Sequence, residues 1–250
     1  MKTIFITGGS TGIGLALAKL YADNNYRVGI CARDMAKLPK GFLQAYQNIN
    51  FYHADVTDKQ QLQQVIDEFM VIAAGHIDII IANAGRSSGS KRHLPSFDIV
   101  ANIVDTNFKG FINTAAIAID IFMRQKYGHL VAIASVAGFV GLPGCAAYSA
   151  SKAAILMYCE SLAIDLSNYD IDVTAIAPGF IDTPLTQQND HKMPFIMSVT
   201  KAAKLIKRAI DKRKVLYVFP IRMKLLILLL ALLPRSLYRS LMKLLDYSAG

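Results

Sequence analysis

A tyrosine and a lysine four residues apart, Tyr148 and Lys152, could carry out proton transfer in this chain. On a helix, residues at that spacing lie on one face, one turn apart. A phenol ordinarily has a pKa of roughly 10, and a nearby ammonium group lowers it by favouring the phenolate. A tyrosine tuned in this way can pass a proton to or from an alcohol oxygen near neutral pH. The same spacing is also typical of a solvated surface pair, so the other motifs of the chain are needed to distinguish the two interpretations.

A glycine-rich turn near the N-terminus could hold a phosphate group. The apolar segment 2–7 predicts a buried strand, residues 8–14 carry glycines at the spacing GxxxGxG, and the next segment predicts a helix. Glycines let the backbone approach a phosphate closely, and a helix N-terminus adds free N–H groups and a positive dipole end. The spacing differs from the general GxGxxG fingerprint, so a tight turn without a ligand is the alternative.

Charged residues follow the second and third predicted strands. The second strand, 27–32, ends in Ala32, and Arg33 and Asp34 come next. At this point of a dinucleotide fold an acid binds the ribose hydroxyls, whereas an arginine suits a 2′-phosphate. We interpret Arg33 as that phosphate contact and Asp34 as a helix cap, the alternative being that Arg33 is only a loop charge. After the third strand, Asp55 could reach the adenine or hydrogen-bond its own turn.

Strand-like and helix-like segments alternate along the chain to about residue 220. The predicted strands are 2–7, 27–32, 50–53, 77–82, 129–134, 171–177 and 215–219. This alternation predicts one α/β domain, in which a parallel sheet is covered by helices on both faces. Ligands of such sheets bind outside the carboxyl ends of the strands. Asn83 and Ser135, which follow two of the strands, should therefore meet the glycine-rich turn at one edge.

Three further segments bear on a site. A long apolar helix is predicted over 96–126, and it carries Asn107. Because asparagine has a poor helix propensity, Asn107 is either a satisfied core polar group or part of a site. The polar segments 86–95 and 182–197 show little periodicity, and we expect both to shape a substrate pocket, the second as a mobile lid.

Composition narrows the classes of function. A chain of 250 residues can bury a full core without disulfides or metals. Its three cysteines lack CxxC spacing, which predicts a reducing, cytoplasmic setting and no metal site. The net charge is +9, yet residues 201–250 carry +10 and the remainder −1. A neutral body argues against nucleic-acid binding and places any polyanionic partner at the C-terminus.

The C-terminal segment changes character after Pro220. Its apolar run, 225–233, is under half of the roughly 20 residues that a transmembrane helix needs. Beyond Pro234, leucines and basic residues share an amphipathic pattern that suits a membrane interface. We expect residues 223–245 to make a peripheral membrane contact, at the inner face of a membrane. The alternative is a helix pair that covers the substrate cleft or a dimer partner, and both interpretations favour an apolar substrate.

In combination, the motifs resemble those of the short-chain dehydrogenase/reductase family over residues 1 to about 220. They occur in the order Thr7-Gly8-x-x-x-Gly12-Ile13-Gly14, Asn83-Ala84-Gly85, Asn107, Ser135, Tyr148-x-x-x-Lys152 and Pro178-Gly179. The resemblance implies a Rossmann-type doubly wound fold of about seven parallel strands in residues 1–222. An apolar and basic helical segment, 223–250, would follow it. The resemblance also implies a nicotinamide cofactor and hydride transfer between a carbonyl and an alcohol.

The resemblance assigns roles to residues of this chain. Tyr148 is the proton donor when a ketone is reduced, Lys152 lowers its pKa and bonds the nicotinamide ribose, and Ser135 polarises the carbonyl. Asn107 holds a water that links Lys152 to a proton relay. The cofactor contacts that the resemblance implies are Gly8, Ser10, Thr11, Gly12, Ile13, Gly14, Arg33, Asp55, Val56, Asn83, Ala84, Gly85, Tyr148, Lys152, Pro178, Gly179, Ile181 and Thr183.

The residues after the second strand and the C-terminal segment predict which cofactor and which class of substrate the chain uses. Arg33 without an acid at Ala32 resembles the NADP-preferring branch, although members of that branch often carry a second basic residue where Ser10 and Thr11 stand. We expect NADP over NAD, with a mixed preference as the alternative. The expected enzyme is a carbonyl reductase or alcohol dehydrogenase that acts on a lipid-like substrate, and it is a homodimer or homotetramer. The alternatives are an NAD-linked dehydrogenase of a small hydroxylated metabolite and a non-catalytic, cofactor-binding regulatory or scaffold protein.

Overall fold

The computed structural model describes residues 1–87, 96–188 and 193–247. Its strands are β1 (Thr3–Thr7), β2 (Arg27–Ala32), β3 (Ile49–His53), β4 (Ile79–Ala82), β5 (Gly128–Ile133), β6 (Ile171–Pro178), β7 (Ile181–Asp182), β8 (Met197–Ser198) and β9 (Leu216–Phe219). Seven of them form one parallel sheet in the order β3-β2-β1-β4-β5-β6-β9, and β7 pairs with β8. The expected doubly wound parallel sheet is confirmed.

Helices cover both faces of this sheet. They are α1 (Gly12–Asp23), α2 (Phe42–Ala45), α3 (Lys59–Ile72), α4 (Phe97–Val104), α5 (Gly110–Gln125), α6 (Ala146–Asp165), α7 (Val199–Asp211), α8 (Ile221–Leu232) and α9 (Arg235–Tyr247). Side chains alternate across the sheet, so Phe5 of β1 joins one core cluster while its neighbours Ile4 and Ile6 join the other. Because both faces are buried, the strands are continuous apolar runs in the sequence.

The helix predicted over 96–126 is confirmed as one helical stretch that runs from Phe97 to Gln125, and it contains a turn of a different type. Between α4 and α5 the chain forms a π-helical turn, Asp105–Lys109. The side chain of the buried Asn107 accepts a hydrogen bond from the Arg86 N–H at 2.7 Å and donates to the Arg86 carbonyl at 3.0 Å. These bonds to a neighbouring loop favour the local widening of the helix at this point. Single π turns of this kind are frequent at functional sites.

The C-terminal helices pack against the body of the protein through one face. Met223 and Ile227 of α8 and Tyr238 of α9 form a third core cluster with Val136 and Val140, which lie in the loop after β5. The Tyr238 hydroxyl also donates a hydrogen bond to the backbone of that loop. Within residues 1–87, 96–188 and 193–247, no helix is long and apolar enough to cross a membrane.

A buried histidine gives the fold a pH-dependent stability. His129 of β5 lies with Nε2 2.7 Å from the Thr174 hydroxyl. Burial and the charge of Arg213 lower its pKa from 6.5 to about 4, against the opposing charge of Asp211. Between these two pH values the unfolded chain binds more protons than the folded chain. The free energy of unfolding should therefore decrease as the pH falls through this window, by on the order of 3 kcal/mol.

The substitution His129→Gln should flatten this part of the stability profile, because glutamine does not titrate yet can still bond the Thr174 hydroxyl. Urea unfolding over a pH series measures the slope. The same substitution at the exposed His53 is the matched control and should leave the slope unchanged. An identical slope in the His129→Gln variant and the wild-type chain would contradict the assignment.

Candidate active site

The predicted site residues meet in a cleft of about 270 Å³ at the carboxyl edge of the sheet. Those that line it are Gly8, Ser10, Thr11, Gly12, Ile13, Arg33, Asp55, Val56, Asn83, Ala84, Gly85, Ser135, Tyr148, Lys152, Pro178, Gly179, Ile181 and Thr183. Gly14 and Asn107 do not line it. A Cβ atom on Gly14 would stand 2.4 Å from the Gly8 carbonyl oxygen, so glycine at this position is needed for the turn to close.

The glycine-rich turn joins β1 to α1 and has the donor chemistry of an anion site. Gly8 and Gly12 both have positive φ values, which favour glycine. Helix α1 begins at Gly12 without a side-chain cap, so its first N–H groups remain available to an anionic ligand. The side chain of Asn83 fixes the turn, because its Nδ2 donates to the carbonyl oxygens of Thr7 and Gly8 at 2.9 and 3.0 Å. The turn therefore fits a cofactor phosphate.

Ser135 and Tyr148 both line the cleft, where the Ser135 hydroxyl interacts with the Tyr148 phenol. Ser135 follows β5 and caps a one-turn helix, Val136–Gly138, by accepting a bond from the Ala137 N–H at 3.1 Å. Tyr148 lies in the first turn of α6. Burial raises the pKa of the Tyr148 phenol, the hydrogen bond with Ser135 opposes this, and Cys145 adds to it. The phenol is consequently protonated at neutral pH and able to act as an acid.

Lys152 lies one turn after Tyr148 on α6 and lines the same cleft, as the helical spacing predicts. Its Nζ donates a 2.8 Å hydrogen bond to the Ile133 carbonyl and lies 5.7 Å from the centre of the Tyr148 ring. Burial lowers the pKa of Lys152 to about 8. The sequence predicted that Lys152 would lower the pKa of Tyr148, whereas the phenol pKa is raised. The reason is that desolvation of the phenol dominates, while the ammonium group bonds a backbone carbonyl.

Asn107 reaches Tyr148 through a neighbouring serine that sequence analysis missed. Asn107 Nδ2 donates a hydrogen bond to Ser151 Oγ at 3.0 Å. Ser151 Oγ in turn donates to the Tyr148 carbonyl at 2.8 Å. Gly85 separates Asn107 from Lys152, since a Cβ atom there would lie 3.3 Å from Asn107 Oδ1 and 3.5 Å from Lys152 Nζ. The absence of a side chain at Gly85 therefore leaves a small space between these two polar groups.

Charged residues line the far end of the cleft. The Arg33 guanidinium lies 3.5 Å from the Asp55 carboxylate. Asp55 hydrogen-bonds its own turn, as one of the two alternatives predicted, because it accepts from the Thr57 N–H and hydroxyl. Burial alone would raise the pKa of Asp55, but these bonds and the charge of Arg33 outweigh it and lower the pKa. Asp34 caps the one-turn helix Met35–Lys37, as predicted.

Several lining residues escaped sequence analysis. They are Cys31, Ala32, Asp34, Lys37, Ala54, Thr106, Ile133 and Ala134, whereas Pro184, Leu185 and Thr186 belong to the segment 182–197 that is expected to shape the pocket. The strand-end residues among them follow from the rule that ligands bind at the carboxyl edge of the sheet, whereas Lys37 carries no motif. Residues 88–95 of the predicted pocket loop and 189–192 of the predicted lid lie outside the described residues. Thr183, at the start of that lid segment, packs against the turn at Gly12.

The chain is similar in sequence to a family model and to proteins named as oxidoreductases. A family model described as short chain dehydrogenase matches residues 2–194. An uncharacterized oxidoreductase of Myxococcus xanthus is 33% identical over 245 residues, which cover 95% of this chain and 94% of that protein. An uncharacterized oxidoreductase of Staphylococcus epidermidis is 34% identical over 193 residues, which cover 76% of this chain and 82% of that protein.

Solved structures show the same architecture. The structure of ElxO with NADPH bound has a TM-score of 0.77 and 25% identity, covering 87% of this chain and 96% of that chain. A short chain dehydrogenase/reductase from Burkholderia phymatum, in complex with NAD, has a TM-score of 0.82 and covers 90% of this chain and 91% of that chain. At 21% identity, the second likeness shows the fold alone.

Proposed function

Because the chain belongs to the short-chain dehydrogenase family, we propose that it is an NADP-preferring oxidoreductase that interconverts a lipid-like carbonyl and its alcohol. The observation that carries this proposal is that Ser135, Tyr148 and Lys152 line one cleft with the glycine-rich turn. Residues 1–222 would form the cofactor-binding domain and residues 223–250 an appended helical segment that contacts a membrane peripherally.

The side chains of the cleft fit carbonyl reduction. The bound nicotinamide would supply the hydride. Ser135 and Tyr148 both carry hydroxyl donors suited to a substrate oxygen, on which negative charge grows as its carbon is reduced. Tyr148, which burial keeps protonated, would then give its proton to that oxygen. Lys152 would bond the nicotinamide ribose, and Asn107 would connect Lys152 to a water relay beside Gly85.

Other residues of the cleft would hold the cofactor. The turn residues Gly8, Ser10, Thr11, Gly12 and Ile13 would form the phosphate site, and Gly14 would allow the turn to close around it. Asp55, Val56, Asn83, Ala84 and Gly85 would border the adenosine, and Pro178, Gly179, Ile181 and Thr183 would border the nicotinamide amide. This assignment is supported by the order in which these residues line the sheet edge, from β3 to β6.

Two cations support a preference for NADP. Arg33 and Lys37 both line the cleft just beyond the carboxyl end of β2, where Ala32 leaves room. Asp34 also lines the cleft there and lies 3.9 Å from the Lys37 ammonium group. Members of the NADP-preferring branch often carry a second basic residue at the positions of Ser10 and Thr11. In this chain Lys37 would take the place of that residue. Asp55 bonds Arg33 and would compete with a 2′-phosphate for it, which limits the expected preference.

Exposed apolar side chains support assembly into a homodimer or homotetramer. Phe97 of α4, together with Met157 and Ile164 of α6, is more than 60% exposed in the single chain. Burial of such residues between copies would be favourable. Light scattering that reports a monomer at micromolar concentration would contradict this assembly.

The substrate class is testable with a homologous series. NADPH oxidation should become faster as the chains of added ketones and 3-oxoacyl compounds lengthen, because each buried methylene adds about 0.8 kcal/mol of binding. The decrease of NADPH absorbance measures the rate, and NADH in the same series is the control for the cofactor. Equal rates for short polar and long apolar carbonyls would refute the lipid-like substrate. Tight cofactor binding without turnover of any carbonyl would favour a non-catalytic protein.

A further inference from the structure

Helix α8 presents two different apolar faces. Its inner face, with Met223 and Ile227, is buried against the loop after β5. Five large aliphatic residues on the opposite face are between 45% and 82% exposed: Ile221, Leu225, Leu228, Leu229 and Leu232. At 3.6 residues per turn these five positions form one stripe along the helix. This stripe, the outer face of α8, is much larger than the single exposed leucine that is normal on a protein surface.

Cations border the outer face of α8. Arg222 and Lys224 lie in the first turn of the helix, on either side of the stripe, and both are exposed. Helix α9 adds exposed Arg235, Arg239 and Lys243. The sequence has no acidic residue between positions 212 and 245. Long basic side chains beside an apolar stripe can reach lipid phosphates while their stems and the stripe contact acyl chains.

Helix α8 lies beside the cleft and contacts it through its inner face. Gly179 lines the cleft, and α8 packs directly on it, since a Cβ atom there would stand 3.1 Å from Met223 Cγ. The Arg222 guanidinium lies 5.9 Å from the centre of the Phe195 ring. Phe195 and Ile196 are themselves exposed and extend the apolar surface beyond the helix.

We infer that the outer face of α8 docks on an anionic lipid bilayer, so that the inner face of the same helix holds the Gly179 wall of the cleft close to the bilayer. The helix has 12 residues, or roughly 18 Å, so it would lie in the interface rather than span a core of roughly 30 Å. A second copy of the chain fits less well, because a symmetric pair would bring the basic residues of two copies together. The purpose of this docking rests on the proposed function: it would give a lipid-like substrate access to the cleft from the bilayer.

Vesicle flotation tests the docking surface. The full chain should float with vesicles of phosphatidylglycerol and phosphatidylcholine, float far less with phosphatidylcholine alone, and dissociate as salt is raised. Leu225→Ser with Leu232→Ser should weaken binding by more than tenfold, because each leucine loses its burial in lipid. Val71→Ser is the matched control, since Val71 of α3 is 81% exposed and Leu232 is 82% exposed. It should bind as the wild-type chain does.

Charge variants test the other half of the surface. Replacing Lys224 and Arg239 by glutamine should weaken binding to anionic vesicles by about fivefold per residue. Equal binding to neutral vesicles, or none to either kind, would overturn the inference. If light scattering showed that the wild-type chain is a dimer and that the variant with Leu225→Ser and Leu232→Ser is a monomer, the outer face of α8 would instead be assigned to contact with a second copy of the chain. Turnover of a short, water-soluble ketone without vesicles is measured in parallel for the wild-type chain and for each variant. If none of them turned this ketone over, the proposed function would be contradicted and the docking would not.

Discussion

The substitution Tyr148→Phe should lower kcat by about 10²–10⁴-fold while the fold and cofactor binding persist. Phenylalanine keeps the ring that packs in the first turn of α6 and removes only the hydroxyl that bonds Ser135. The reaction then loses both its proton donor and one of two hydrogen bonds to the developing oxyanion. Ser135 alone would still orient the substrate, so KM should change much less than kcat.

The measurement is steady-state NADPH oxidation, with cofactor binding followed separately by fluorescence. Tyr158→Phe provides a matched control on the same helix, because Tyr158 is exposed and packs on Phe111 outside the cleft. It should leave both kcat and cofactor binding unchanged. If Tyr148→Phe retained near wild-type turnover, the assignment of Tyr148 as the acid would be wrong. Loss of cofactor binding in that variant would indicate a damaged site instead.

The strands and their common edge could be predicted because the relevant physics is local. The central strands β1, β4 and β5 are buried on both faces and therefore form apolar runs. The polar residues Asn83 and Ser135 follow within two residues of the ends of β4 and β5. Once the strands are parallel, their carboxyl ends must share an edge. The cleft and most of its lining residues follow from that single geometric step.

Features set by contacts between distant segments could not be predicted. The π turn at Asp105–Lys109 depends on hydrogen bonds from Asn107 to the loop at Arg86, which leave the apolar period unchanged. The position of Lys152 depends on the Ile133 carbonyl, and the inner face of the tail depends on the cluster around Tyr238. In each case the partner lies at least 19 residues away in the sequence, where periodicity carries no information.

Arg33→Ala should weaken NADPH binding about tenfold and leave NADH binding nearly unchanged. The guanidinium stands at the cleft rim, where it can donate charge-assisted hydrogen bonds to a 2′-phosphate, whereas NADH offers only ribose hydroxyls there. The effect is expected to be moderate because the Arg33 side chain is 58% exposed and is already paired with Asp55. Lys37 retains part of the favourable potential after the substitution, and combining Arg33→Ala with Lys37→Ala should enlarge the loss.

Titration calorimetry with each cofactor measures both affinities. Arg124→Ala is the matched control, since Arg124 pairs with Asp120 at 2.9 Å on α5 and does not line the cleft. It should leave both affinities unchanged. If Arg33→Ala weakened NADH and NADPH binding equally, Arg33 would be a structural partner of Asp55 rather than a phosphate contact. The proposed preference would then rest on Lys37 alone, and the single substitution Lys37→Ala would have to account for the difference between the two cofactors.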